Sequence, residues 1–156
     1  MRITDFGGFA DFLTKNNSPY HKDGIKVALF QANFENLEKY IRSLFASIAY
    51  NNFTGVKLYE YEGYYVSVFY AYIKAMGIEL IGEDVTNKGR IDLTIKLPNA
   101  IYVIEFKTDG SNALSQIKEK NYHEKYLSDE RGIHIIGIEF GIKERNITNI
   151  QWEKVK

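Results

Sequence analysis

The sequence predicts a mixed α/β fold, and three observations carry that expectation. Three β-type runs lie close together between residues 78 and 108, separated only by the turn formers Thr86-Asn87-Lys88-Gly89 and Pro98-Asn99. Two stretches before them repeat apolar residues at three- and four-residue steps, the period of a helix with one buried face. After them comes a further helical segment and then a fourth run apolar on both faces, as a covered central strand requires. A third strand that reaches a fourth through a helix implies a crossover, so the sheet is mixed, with helices on its faces.

The opening 27 residues are rich in turn formers (Gly7-Gly8, Asn16-Asn17-Ser18-Pro19, Asp23-Gly24), which predicts a short helix near Phe9–Leu13 followed by irregular chain. From Asn33 the period changes: Phe34, Leu37, Ile41, Leu44, Phe45 and Ile48 mark an amphipathic helix that ends before Asn51-Asn52. A second helix is expected from about Leu58 to Met76, with Tyr61, Tyr65, Phe69, Tyr72, Ile73 and Met76 along one side and Gly77 as its C′ residue. The strands follow at Ile78–Val85, Arg90–Leu97 and Ile101–Thr108. Ser111 or Asn112 then caps a helix running to about Leu127. A strand at Ile133–Phe140 and an edge strand at Ile147–Trp152 complete the order. Residues 1–52 read as a helical N-terminal extension and 53–156 as the main domain.

Composition narrows the function classes. The chain has 156 residues, no cysteine, and 20 basic against 20 acidic residues. Without cysteine there are no disulfides, thiolate metal sites or cysteine nucleophiles. The even charge balance argues against a strong autonomous nucleic-acid clamp, since phosphate neutralisation drives such affinity. A local basic groove, or delivery by a partner, remains compatible with it. Asp5 and Asp11 interrupt any signal-type apolar core, and no run reaches the length of a membrane span, so a soluble, cytoplasmic protein without membrane contact is expected.

The chemistry concentrates between Gly89 and Lys107. Glu105 and Lys107 are two residues apart and project to the same face of a strand. Asp92 breaks the apolar alternation of the preceding strand, and across a hairpin its carboxylate can meet that of Glu105. Two acids and an ammonium embedded in apolar strands are costly unless paired or metal-bound. Asp92 and Glu105, with the Phe106 carbonyl, form an oxygen donor set for Mg²⁺ or Mn²⁺. Lys107 stands where it could orient a water or offset charge on a phosphate, or simply close a structural salt bridge to either acid. Glu62 can supply a further ligand, directly or through water. Equally, it can be an acid placed favourably at a helix N-terminus. Gln116 and Lys120, one turn apart, can face a phosphate backbone together, as can Lys118 and Tyr122; a solvated helix face is the plainer reading. His21, His123 and His134 show no ligand spacing.

Taken together, Glu62, Gly89-Arg90-Ile91-Asp92, Ile104-Glu105-Phe106-Lys107 and Ala113-x-x-Gln116-Ile117-x-x-x-x-Tyr122 resemble the PD-(D/E)xK nuclease superfamily, over about Tyr59 to Asn146. The likeness is to the nuclease-like domain found at the C-terminus of many bacterial AAA-ATPase-like proteins. It implies a restriction-endonuclease-like αβββαβ core and a metal-dependent nuclease acting on DNA. It further implies that Asp92, Glu105 and Lys107 are catalytic, that Glu62, Asp92, Glu105 and Phe106 hold Mg²⁺ or Mn²⁺, and that Arg90, Gln116, Lys120 and Tyr122 support the substrate. Ile91 stands where the name-giving proline would be. Expected partners are nucleic acid, an ATPase protein or domain, and a second copy of the chain. The competing function is a non-catalytic module of the same fold that binds a protein or nucleic acid.

Overall fold

The computed structural model describes residues 21–48 and 57–156, and the helix expected near Phe9–Leu13 lies outside them. Helix α1 (His21–Gln31) and helix α2 (Phe34–Ala46) pack against each other. A 3₁₀ turn, η1 (Leu58–Glu60), leads into α3 (Glu62–Ala75). Strands β1 (Glu79–Thr86), β2 (Gly89–Lys96) and β3 (Ala100–Lys107) follow. Then come α4 (Ala113–Lys120), a second 3₁₀ turn η2 (Tyr122–Tyr126), β4 (Gly132–Gly141) and β5 (Asn146–Lys154). From α3 to β4 this is the expected αβββαβ order.

The five strands stand in the order β1-β2-β3-β4-β5. β3 and β4 run parallel, joined by the α4 crossover, while every other neighbouring pair is antiparallel. The sheet is thus mixed and, as the two-faced apolar runs require, covered on both sides. On one face α1, α2 and α3 bury Leu29, Ile41, Phe45, Tyr65 and Phe69 against Leu93, Ile95, Tyr102, Ile104 and Phe106. On the other, Ile117, Tyr122 and Tyr126 pack on Ile91, Ile101, Val103 and Ile135.

Local chemistry sets the element ends. Asn33 caps α2 by accepting the Asn36 N–H at 3.1 Å, and Asn112 caps α4 by accepting the Ser115 N–H at 2.8 Å. Three expectations need correcting. The helix expected from about Leu58 begins at Glu62, because Leu58–Glu60 form a separate 3₁₀ turn and Tyr61, between the turn and the helix, is extended and exposed. Residues 21–27 are helical rather than irregular, because Asp23-Gly24 is no turn: Gly24 is where α1 presses onto α2, and a Cβ there would meet the Tyr40 ring at 2.6 Å. The helix expected to continue to Leu127 ends at Lys120, because Asn121 adopts a left-handed backbone (φ 49°) and the chain resumes as a 3₁₀ turn.

The α1–α2 pair is tied into the sheet by polar contacts as well as packing. The Tyr102 hydroxyl donates to the Leu29 carbonyl at 2.5 Å. Arg42 Nη1 donates to the Ile147 carbonyl at 2.7 Å, and Asn146 Nδ2 to the Arg42 carbonyl at 3.0 Å. No helix among the described residues is long and apolar enough to cross a membrane.

Candidate active site at the opening of strands β2 and β3

The β2–β3 ladder pairs Lys96 with Ile101 through to Leu93 with Ile104 and goes no further. Beyond that point side chains replace the backbone partners. The Asp92 N–H donates to Glu105 Oε1 at 3.1 Å, and the Phe106 N–H donates to Asp92 Oδ2 at 2.9 Å. Each carboxylate therefore takes a backbone amide of the facing strand, and the two acids meet where the strands part.

Burial follows from this exchange. Glu105 is 1% exposed, while Asp92 is half-buried at the mouth of the opening. Glu105 Oε2 accepts a 3.3 Å hydrogen bond from Gln116 Nε2 of α4. α4 can come this close because Gly137 of β4, the register partner of Glu105, has no side chain; a Cβ there would lie 2.3 Å from the Leu114 nitrogen. Burial, followed by the charge and hydrogen bonding of Asp92, pushes the Glu105 carboxyl up to about 9. A buried carboxyl raised by a neighbouring acid marks a place where positive charge would be favourable.

Three further charges gather round it. Lys107 acts to lower the Glu105 pKa, the direction expected of a nearby ammonium. Among the described residues it closes no ion pair, so the structural salt bridge that the sequence left open is not formed. Glu62, at the first turn of α3, is raised by burial and then by the charge of Asp92, with Lys107 and a Thr108 backbone hydrogen bond acting against the rise. Asp109 adds to the same field and was read from sequence only as a turn residue. It does make that turn, accepting from the Ser111 N–H at 2.9 Å, and the Ser111 hydroxyl with it holds the Asp109 carboxyl below the usual range. The signal that could have exposed its second role is its spacing, two residues after Lys107 on the same chain exit.

The remaining candidates separate. Arg90 lines, with Glu62 and Asp92, a cleft of about 500 Å³ between α3 and the β1–β2 hairpin. Gln116 reaches Glu105, as noted. Tyr122 is 4% exposed and packs in the second core beside Ile91 and Ile117, beneath the site. Lys120 is exposed at the end of α4 and makes no contact with the carboxylates. Of the histidines, His134 is buried between rings, 5.0 Å from Tyr102 and 5.4 Å from Phe34.

The donor set fits a hard divalent cation. Two carboxylates forced together, with waters and phosphate oxygens left to complete the shell, are the usual protein share of a Mg²⁺ site. Among the described residues no third His, Asp or Glu joins them closely enough to make a three-ligand cage. Glu62 feels the charge of Asp92 across the mouth of the cleft.

Comparison with known proteins gives the chain a family. One relative, the "Uncharacterized protein in vnfD 5'region" of Azotobacter chroococcum mcd 1, is 34% identical over 149 residues. That match takes in 92% of this chain and 29% of the relative, so the chain spans under a third of that protein's length. No solved structure matches. The family model describing the PD-(D/E)XK nuclease superfamily matches residues 60–150, a stretch that runs from the start of α3 into β5 and contains every acid of the opening. By that match, and by the acid pair, the lysine and the αβββαβ order that frame it, this chain belongs to the PD-(D/E)XK nuclease superfamily.

Proposed function

We propose that the protein is a metal-dependent nuclease that hydrolyses phosphodiester bonds, with DNA as its substrate. The observation that carries the reading is the Asp92–Glu105 pair, held against its own repulsion by the amides of the opened strands, in the field of Lys107, which closes no ion pair among the described residues. A binding module has no use for such an arrangement, because converging carboxylates repel phosphate. Asp92, Glu105 and the Phe106 carbonyl are the groups that would hold Mg²⁺ or Mn²⁺. When bound, such an ion lowers the pKa of a water and polarises a phosphoryl oxygen.

The chain's own groups supply the rest. The Lys107 ammonium donates to the attacking water and offsets the charge that builds on the phosphate oxygens. Gln116 fixes one oxygen of Glu105 and so presents the other in a constant direction. Glu62 receives outer-sphere water, and Arg90 meets a flanking phosphate from the cleft wall. The water oxygen bonds to phosphorus, one P–O ester bond breaks, and the products are a phosphate monoester and a free hydroxyl. The zero net charge gives little long-range attraction for DNA. An ATPase protein or domain, or a second copy of the chain, would then hold the substrate long enough for cleavage.

The test is cleavage of plasmid and oligonucleotide DNA by the purified chain with Mg²⁺ or Mn²⁺. Metal-dependent products, stopped by a chelator, are expected. Asp92→Asn and Lys107→Ala should each slow the reaction by about a hundredfold or more with an unchanged circular-dichroism spectrum. Cleavage that persists undiminished in Lys107→Ala would refute the assignment. Absence of both cleavage and Mn²⁺ binding by calorimetry would favour the non-catalytic module.

A further inference from the structure

The cleft beside the acid pair has a make-up that phosphate binding alone does not explain. Its walls are Val66, Ser67 and Tyr70 of α3 on one side, with Glu83, Arg90 and Asp92 of the hairpin on the other. Its volume, about 500 Å³, falls in the range of small-molecule sites and is roomy enough for one nucleoside. Tyr70 is half-buried, and one edge of its ring lies on the β1 backbone at Gly82, where a Cβ would stand 3.3 Å from it.

Charge decides which part of a substrate enters. Glu62, Glu83 and Asp92 set three acids against Arg90 alone, and Arg90 is already engaged by Glu83 at 3.4 Å. A run of phosphates would be repelled from this space. A neutral base would not be: it offers a π-face to Tyr70 and exocyclic N–H donors to Glu83 and Ser67. Glu83 is also held there by the backbone. Its φ of 52° is left-handed in mid-strand, opposite Asp92, and the β1–β2 register omits this one pair. A non-glycine residue in this conformation persists where its surroundings hold it, and the turn of the backbone is what brings Glu83 to the cleft wall.

We propose that the cleft is the subsite for a single unpaired nucleotide adjoining the scissile phosphate, with its base against Tyr70 and its phosphate at the cleft mouth taking the place of Glu83 on Arg90. The substrate class is therefore single-stranded or frayed nucleic acid rather than intact duplex. This rests on the nuclease reading and deepens it.

The experiment uses the full chain and two oligonucleotides of one sequence, single-stranded and fully paired, each carrying 2-aminopurine as a fluorescent base. With Mn²⁺, the single strand should be cut with about tenfold higher kcat/KM than the duplex. Tyr70→Leu should erase that advantage mainly through KM, and Tyr70→Phe should keep it. In the Lys107→Ala chain with Ca²⁺, 2-aminopurine fluorescence should be quenched on binding, and Tyr70→Leu should abolish the quench while its Tm stays near that of Tyr70→Phe. Equal cutting of both oligonucleotides, or quenching indifferent to Tyr70, would overturn the subsite. If no variant cuts any substrate, the nuclease reading fails by itself, and the quench in the Ca²⁺ arm still decides whether a base enters the cleft.

Discussion

Glu105 shows what a site of this kind costs. Its carboxyl is raised to about 9 by burial and by Asp92, so its contribution favours folding at low pH and fades as pH rises from the usual carboxylate range toward that value. Asp92→Asn keeps an oxygen to accept the Phe106 N–H and removes the opposing charge. At pH 8 without metal this variant should be more stable than the parent by about 1 kcal/mol, as expected where function holds like charges together. It should also lose the rise in Tm expected of the parent with Mn²⁺; thermal melts with and without Mn²⁺ read both effects. His134 titrates with the opposite sign. Burial, then the charge of Lys154, holds its pKa below the usual histidine value, and its buried Nδ1 has no hydrogen-bond partner among the described residues. The neutral ring stacked on Tyr102 is the folded form, so its contribution is whole above about pH 6.5 and is lost as pH falls through the depressed folded value. Replacing His134 by Phe should flatten that part of the profile. Urea midpoints at pH 8 and pH 5 for both chains, taken as a double difference, isolate it from the carboxylates.

At the scale of elements, what the sequence made legible were the features set by local periodicity. Each of the five strands begins within one residue of its expected position, because alternation and turn residues carry that information; the edge strand alone runs two residues further. What escaped were features fixed by contact. Gly24 is helical because Tyr40 needs the space, and nothing near it in sequence says so. The parting of β2 from β3 is a property of two carboxylates finding two amides, so pairing Asp92 with Glu105 was foreseeable while the opening was not. The nucleotide-sized cleft draws Tyr70, Glu83 and Arg90 from separate elements and left no mark in any one motif. Contact also yields a prediction. Gly137→Ala puts a methyl group 2.3 Å from the Leu114 nitrogen, against backbone that cannot swing aside. The start of α4 must lift, at a cost of about 2 kcal/mol, and Gln116 withdraws from Glu105. Lower stability is therefore expected together with weaker Mn²⁺ binding, although no ligand has been changed; chemical denaturation and calorimetry on one preparation would show whether the two move together.

For the whole molecule, the question is whether the αβββαβ unit stands without the helices before it. α1 and α2 contribute Ile25, Leu29, Leu37, Ile41, Leu44 and Phe45 to the same core as Phe69, Phe106 and Phe140, each of them no more than 5% exposed. Phe34 stacks on Trp152 at 5.3 Å and meets Tyr102 at 6.1 Å, so the pair grips both the edge strand and the sheet centre. Truncating one buried Leu or Ile costs about 2–5 kcal/mol, and a domain holds only about 5–15 kcal/mol in all. Six such side chains lost at once exceed that reserve, even allowing for collapse of the exposed face. A chain beginning at residue 53 should therefore be molten or aggregated, with its far-ultraviolet signal reduced, dye-binding hydrophobic surface and no cooperative melt. The full chain should melt in one transition reported alike by Trp152 fluorescence and by circular dichroism. A fragment that melted cooperatively and bound Mn²⁺ as the full chain does would show the two helices to be an attachment. Failure of the fragment, with the full chain two-state, would mean that whatever carries this domain in a longer protein must carry α1 and α2 with it.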